Sequence, residues 1–188
     1  MKSSISKKTY KAIYRLLNRV SPIDGDCGRL CGSICCTCDA DDAGDKGFSM
    51  GIYLLPGEDR VFTRTEDWLE WSYTKVSEAD FPDSWSGIAY FVRCKTPPLC
   101  PRETRPLQCR VFPLAPHITG SGELRMILFP AEGLPYRCPL AENEAPLSPA
   151  FVKATNTVWK RLIQDRHIYD LVKYDSDFRD EKSLVFLP

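Results

Sequence analysis

The apolar positions near the start of the chain follow the repeat of an α-helix. Between residues 3 and 20, large apolar side chains recur three or four positions apart, as they do on one face of a helix. The residues on that face are Tyr10, Ile13, Tyr14, Leu17 and Val20. Ser3 or Ser4 is the predicted N-cap, and Pro22 prevents the helix from continuing. We expect this helix to pack on the rest of the domain.

Three short apolar runs farther along the chain predict β-strands. They cover residues 48–55, 88–93 and 124–129, and turn-forming residues flank them. The stretch at 119–122 combines threonine, serine and two glycines, which predicts a turn just before the third run. Because short connections join antiparallel strands, these pieces predict a small antiparallel sheet.

Helical patterns are predicted at three further places. The first covers residues 58–76, and we interpret its aromatic side chains as part of the core. Ser148 is the predicted cap of a second helix over 149–165, and a short third helix follows near 167–174. Together with the strands, these helices predict an α+β fold in which helices flank a small antiparallel sheet.

The overall charge argues against a nucleic-acid partner. The 25 basic and 25 acidic side chains cancel, whereas binding to a phosphate backbone needs a basic excess. No apolar run approaches the roughly 20 residues of a membrane span, and no signal-peptide pattern is present. We therefore expect a cytoplasmic protein without a membrane span, whose protein partner, if it has one, is unknown.

Cysteine is the residue type that the composition singles out. The chain has nine cysteines, and an odd number without a signal peptide argues against a secreted disulfide framework. In a reducing cytosol, clustered cysteines more often bind metal, and redox use is the weaker alternative. The cysteines therefore predict a metal-binding protein.

The first group of cysteines is close in sequence. Its members are Cys27, Cys31, Cys35, Cys36 and Cys38. The first three are four residues apart, which places them on one face of a helix, whereas the glycines that follow the first two equally allow a tight loop. Either geometry brings several thiols together, and four thiolates satisfy either zinc or an iron–sulfur cluster.

The second group is dispersed over a proline-rich stretch. Its members are Cys94, Cys100, Cys109 and Cys138. Basic residues crowd the same region, and a site made of four thiolates carries net negative charge. We expect Arg105 and Arg110 to lie beside the metal ligands and to offset that charge.

Three strings of residues carry a resemblance to a known family. They are the pair Cys35-Cys36 after spaced cysteines, the string Arg105-Pro106-x-x-Cys109-Arg110-x-Phe112-Pro113, and Cys138-Pro139-Leu140. Over residues 27–140 the chain thus resembles the YkgJ-type cysteine-cluster family, described as zinc- or iron-chelating. The resemblance implies metal ligands at Cys27, Cys31, Cys35, Cys36, Cys100, Cys109 and Cys138. Cys38 and Cys94 fall outside the common pattern and are weaker candidates.

These observations lead to one main hypothesis of function and to two alternatives. The main hypothesis is a structural or accessory protein that binds zinc or an iron–sulfur cluster through its cysteines. The alternatives are an iron–sulfur enzyme with a redox or protein-methylation role, and a binding module that uses the aromatic residues around Trp68–Tyr73. The predicted organisation is an N-terminal helix over 1–22, a cysteine-cluster metal-binding domain over 23–145 with a metal-stapled, loop-rich centre, and a C-terminal helical extension over 146–188.

Overall fold

The computed structural model describes residues 3–37, 51–96 and 99–187. The helices are α1 (Lys7–Leu17), α2 (Gly28–Cys31), α3 (Ile34–Thr37), α4 (Leu107–Val111), α5 (Pro149–Leu162) and α6 (Arg166–Asp177). The strands are β1 (Ile52–Tyr53), β2 (Leu69–Lys75), β3 (Ile88–Cys94), β4 (Leu114–Ile118) and β5 (Leu124–Leu128). Short 3₁₀ turns lie between several of these elements.

The strands form two small antiparallel sheets rather than one. In the first sheet β3 lies between β1 and β2, and in the second β4 pairs with β5. The strands predicted over 88–93 and 124–129, and the turn at 119–122, are confirmed. Of the run predicted over 48–55, the structure describes residues from 51 on, and two of these pair as β1.

The helix predicted over 58–76 is wrong. Its first part is a 3₁₀ turn, Glu58–Val61, and its second part is β2, which pairs along its whole length with β3. Pairing with β3 places a residue of β3 opposite each residue of β2, for example Tyr90 opposite Tyr73. Aromatic and β-branched residues fit such a pleated surface better than a helix, so the long-range pairing overrides the local pattern.

The first helix is shorter than predicted, and a different serine caps it. The Ser6 hydroxyl accepts a hydrogen bond from the Thr9 amide at 3.1 Å, which satisfies one of the free amides of the first turn. The predicted caps Ser3 and Ser4 donate instead to the buried carboxylate of Asp165, at 3.0 and 2.8 Å. They thus tie the beginning of the chain to the residue that caps α6.

The two C-terminal helices have the predicted order with adjusted ends. Ser148 precedes α5 as predicted, but its side chain makes no capping hydrogen bond. The short helix predicted near 167–174 is longer, and Asp165 caps it by accepting from the amides of His167 and Ile168.

One main hydrophobic core joins the three predicted segments 1–22, 23–145 and 146–188. It contains side chains of α1, of both sheets, and of α5 and α6; fully buried examples are Tyr10, Leu107, Phe151, Leu162 and Ile168. A much smaller second cluster is formed by Cys138, Leu140 and Ala141. The α+β class with flanking helices is therefore confirmed. In the described residues no helix is long and apolar enough to cross a membrane.

Candidate metal centre

The first cysteine group lies on two single-turn helices rather than on one continuous helix. Cys27 precedes α2, Cys31 ends it, and α3 begins three residues later. Gly32 and Ser33 between the two helices both have left-handed backbone, with φ of 65° and 61°. Glycine adopts this conformation readily, so Gly32 ends α2 where the next turn of a helix would have continued. The chain therefore turns back, and α3 follows α2 closely.

Five of the cysteines line one small cavity. It has a volume of about 40 Å³, and its walls include thiols from both cysteine groups. The cysteines that line it are Cys27, Cys31, Cys35, Cys36 and Cys138. Residues more than a hundred positions apart in sequence thus meet at one place.

The adjacent cysteines of α3 share a hydrogen bond. The sulfur atoms of Cys35 and Cys36 are 3.9 Å apart. This bond, in which Cys36 accepts, and the nearby Arg105 guanidinium together lower the pKa of Cys36 to about 7. The pKa of Cys35 is raised, because its proton is held by the same bond and because the side chain is buried. Cys36 is therefore the thiol of this pair that ionises first.

Arg105 lies between the two cysteine groups. Its Nε donates to the sulfur of Cys100 at 3.0 Å, and the same residue lines the cavity described above. Burial raises the pKa of Cys100, and Arg105 opposes that rise. The guanidinium thus lies where it would offset the charge of thiolates in both groups.

Cys109 reaches the same neighbourhood from α4. Leu107 and Val111 of this helix are buried, whereas the Cys109 side chain, on the other face, keeps access to solvent. Desolvation by the surrounding protein atoms raises the pKa of Cys109 to about 12, and the nearby thiols of Cys36 and Cys100 add to the rise.

Two residues near the thiols were missed by sequence reasoning. Tyr136 is half-buried, packs against the cluster around Cys138, and interacts electrostatically with four of the cysteines. Its position two residues before a cysteine is the only sequence signal that pointed to it. The other residue is Glu58, which is fully buried and accepts hydrogen bonds from the Tyr14 hydroxyl and the Leu107 amide, at 2.6 and 2.7 Å.

Arg110 does not lie beside the thiols. Its guanidinium donates to the Tyr14 carbonyl at 3.1 Å and stacks over the Tyr14 ring at 4.7 Å. Because Arg110 is three residues after Leu107 on α4, it lies on the buried face of the helix, away from Cys109. Of these two arginines, the structure thus places Arg105 and not Arg110 beside the thiols.

The thiols are neighbours, but they are not positioned to coordinate a metal ion. In the described ranges, 3–37, 51–96 and 99–187, no three Cys, His, Asp or Glu side chains are arranged so that they could hold a metal ion as they stand. Cys38 lies outside the described residues, and Cys94 lies at the end of β3. Metal ligation by the predicted cysteines stays a prediction.

No family model, no curated protein and no solved structure matches this chain.

The aromatic residues of the alternative binding module are mostly built into the fold. Trp68 is buried, and Trp71 is half-buried in edge-on contact with Phe62 and Tyr90. Only Tyr73 of this group is well exposed, at 64% of its surface. A single exposed tyrosine does not form an aromatic patch, so the described residues around Trp68–Tyr73 do not support a binding module.

Proposed function

We propose that this protein binds metal through its clustered cysteines and that zinc is the preferred metal. The observation that carries the proposal is the meeting of five thiols, from both cysteine groups, around one cavity of about 40 Å³. Thiolates are the preferred protein ligands of zinc in closed structural sites. The resemblance to the YkgJ-type family supports the same conclusion from the sequence.

The size of the cavity favours a single ion over an iron–sulfur cluster. A cavity needs roughly 10–15 Å³ to hold one water molecule. A four-iron cluster has eight iron and sulfide atoms, so it needs on the order of 100 Å³. The cavity has about 40 Å³. For an ion to bind, the side chains would have to move until four sulfur atoms lie at the Zn–S distance of about 2.3 Å.

The proposed role of the metal is to hold two poorly packed segments together. The cluster around Cys138 contains only three buried side chains, which is too little apolar surface to fix a long irregular segment. Metal binding would add the missing stabilisation, because ligands far apart in sequence become joined on folding. Thiols that hold metal must stay reduced, so the proposal includes a cytoplasmic location.

The second candidate, an iron–sulfur enzyme, is favoured by one observation. A groove of about 900 Å³ lies next to the cysteine cavity and shares Asp26 and Arg105 with it. A substrate in this groove would lie beside the thiols, and Arg102 on its wall would attract an anionic group.

Metal analysis of the whole protein tests the proposal. The protein is produced in iron-replete, zinc-containing medium, purified without oxygen or chelators, and examined for bound metals and visible absorption. A colourless protein with stoichiometric zinc is the expected result. A brown protein with iron and sulfide would favour the second candidate, and a protein without bound metal would contradict both.

A substitution at Cys109 tests whether the thiols are the ligands. We expect Cys109→Ser to lower both the bound metal and the melting temperature, because serine oxygen is a poor zinc ligand at neutral pH. Thr37→Ala is the matched control, since it lies beside the thiols and leaves each of them in place. Full metal content and an unchanged melting temperature in Cys109→Ser would contradict the assignment of this ligand.

A further inference from the structure

The cancelling total charge of the chain hides an uneven distribution of its charged side chains. The first 23 residues contain no acidic residue, and neither does the stretch from residue 147 to residue 164. These two stretches contain α1 and α5, which pack against each other and contribute to the same main core. The basic residues of these helices are therefore not offset by acidic residues of the same helix.

Both helices bury an apolar face and expose a basic one. The exposed basic residues of α1 and of the turn after it are Lys7, Lys8, Lys11, Arg15 and Arg19. Those of α5 are Lys153, Lys160 and Arg161. Because α1 and α5 are neighbours, their exposed faces together form one surface, which is called the basic surface below.

The charges of the basic surface are not paired as those of α6 are. On α6, Lys173 pairs with Asp177 and Arg166 pairs with Asp170, one helical turn apart in both cases. Within the described part of the chain, none of the basic residues of the basic surface forms an ion pair. Their charges therefore remain available to a partner.

The arrangement of these charges is unfavourable for α1 itself. Lys7 and Lys8 lie in its first turn, where the free amides already carry partial positive charge, and no acidic residue lies there. Lys7, Lys11 and Arg15 follow one another four residues apart, so like charges lie side by side. Such local conflicts are typical of functional positions, which indicates that the charge serves binding.

The acidic side chains that adjoin α1 are engaged within the fold. Glu58 is fully buried and accepts a hydrogen bond from the Tyr14 hydroxyl. Asp165 is 2% exposed and accepts hydrogen bonds from the serines before α1. Asp59 pairs with Arg64 at 2.9 Å. The basic surface therefore faces solvent without an acidic group of its own helices or a free one from these neighbours.

The apolar residues of the two helices argue against a membrane as the partner. A helix that lies on a membrane buries its apolar face in lipid. The apolar faces of α1 and α5 are buried in the core instead. The large apolar residues that are exposed in the described part of the chain all lie outside these two helices. The basic surface thus has nothing to insert into lipid.

The polar residues among the lysines and arginines suit a phosphate backbone. Asn18 and Thr157 are exposed beside them, and such side chains bond phosphate oxygens as lysine and arginine do. Binding to single strands uses exposed aromatic rings as stacking platforms. The tyrosines of α1 and both aromatic residues of α5 are buried. The surface chemistry therefore favours a duplex, whose bases are already stacked.

We propose that the basic surface of α1 and α5 binds the phosphate backbone of a double-stranded nucleic acid, independently of base sequence. The helices have 11 and 14 residues, so at 1.5 Å per residue they are roughly 16 and 21 Å long. That length spans several phosphates of a duplex, which follow at about 3.4 Å along each strand. None of the residues involved lines the cysteine cavity, so the inference does not rest on metal binding.

Fluorescence anisotropy of the whole protein with labelled DNA duplexes tests the proposal. Two duplexes of unrelated sequence should bind equally well. The logarithm of the association constant should fall linearly with the logarithm of the salt concentration, by about 0.9 for each phosphate contact. An RNA duplex of the same sequence distinguishes the two sources of the backbone, and binding to either duplex supports the proposal. No binding to either one at low salt would overturn it.

Competition against the labelled duplex tests the other anionic partners. The competitors are vesicles of phosphatidylcholine with phosphatidylserine, polyglutamate, and unlabelled duplex, at equal concentrations of negative charge. Unlabelled duplex should compete most strongly. Stronger competition by the vesicles would favour a membrane, and stronger competition by polyglutamate would favour an acidic protein. Either result would overturn the proposal.

Removing three charges from α1 locates the binding surface. The triple variant Lys7→Gln, Lys11→Gln, Arg15→Gln should bind the DNA duplex less tightly, and its salt slope should be smaller by about 2.7, since three contacts are lost. Its melting temperature should not fall, because the substitutions relieve repulsion between like charges. If it does fall, the double variant Lys153→Gln, Lys160→Gln on α5 serves instead.

A matched control removes the same charge elsewhere. The triple variant Lys75→Gln, Arg93→Gln, Lys182→Gln replaces two exposed lysines and one exposed arginine outside both helices. It should keep the affinity and the salt slope of the unmodified protein. An equal loss of binding in both triple variants would show that total charge decides, and it would overturn the assignment to the basic surface.

Discussion

At the scale of single residues, the pair Cys35-Cys36 is the most distinctive chemical feature. Two thiols 3.9 Å apart share one hydrogen bond, and Arg105 favours the charged form of Cys36. The pair therefore loses its first proton at a lower pH than an isolated cysteine would. Thiolates, rather than thiols, bind metal, so in the proposed function this pair would offer the first ligand to an incoming ion.

The lowered pKa of Cys36 predicts its reactivity in the metal-free protein. The thiolate is the reactive form, so the rate of alkylation of Cys36 by iodoacetamide should rise with pH and level off above its pKa of about 7. The pKa of Cys109 is raised to about 12, so Cys109 should react slowly at neutral pH. Peptide mass spectrometry across a pH series measures both residues in one sample.

The contribution of Arg105 to this profile is tested by removing its charge. Arg105→Gln should move the midpoint of Cys36 alkylation to higher pH, because the positive charge that favours the thiolate is lost. Arg29→Gln, in the same segment, is the control and should leave the midpoint in place. An unchanged midpoint in Arg105→Gln would show that the hydrogen bond from Cys35 alone sets the pKa.

At the scale of elements, a buried carboxylate holds α4 and thereby positions Cys109. Glu58 accepts from the Leu107 amide at the start of α4, from the Tyr14 hydroxyl of α1, and from the Leu55 amide. Burial raises the pKa of Glu58. Three donors from three parts of the chain thus meet one side chain that sequence analysis gave no reason to distinguish from its acidic neighbour.

Replacing Glu58 should destabilise the fold. In Glu58→Gln the amide nitrogen must face at least one hydrogen-bond donor, so a buried donor is left without an acceptor. We expect a loss of about 1–3 kcal/mol in the free energy of unfolding, measured by urea denaturation. Glu70→Gln, at an exposed position of β2, is the control and should change stability by less than about 0.5 kcal/mol. Equal stabilities of the two variants would contradict this role of Glu58.

At the scale of the whole molecule, stability is unevenly distributed. The main core joins both sheets with α1, α5 and α6, whereas three buried side chains form the second cluster beside the cysteines. A cluster of that size contributes little, so the order of the cysteine-bearing segments should depend on metal. The rest of the molecule has enough buried apolar surface to fold without it.

Removal of metal tests this difference in stability. A zinc chelator should increase amide hydrogen exchange in residues 23–37 and 131–145, while α5 and α6 keep their protection. Hydrogen-exchange mass spectrometry with and without chelator measures both regions in one experiment. Equal changes throughout the chain would indicate that the metal supports the whole fold, and no change would contradict its stabilising role.

The sequence by itself determined the elements whose signals are local. The helical repeat of α1, the start of α5 after Ser148 and the turn at 119–122 depend on neighbouring residues, so they could be predicted. The cysteine spacing likewise indicated metal chemistry, because it depends on residue type. The five thiols that line the small cavity are all among the cysteines that the sequence pattern singled out.

The tertiary structure decided what depends on distant partners. Pairing with β3 made the second part of the predicted helix over 58–76 into β2, and the chain path brought Cys138 to the early cysteines. Likewise, the direction in which α4 faces put Arg110 on Tyr14 and left Arg105 beside the thiols. No local pattern contains these outcomes, because each follows from a contact between residues far apart in the chain.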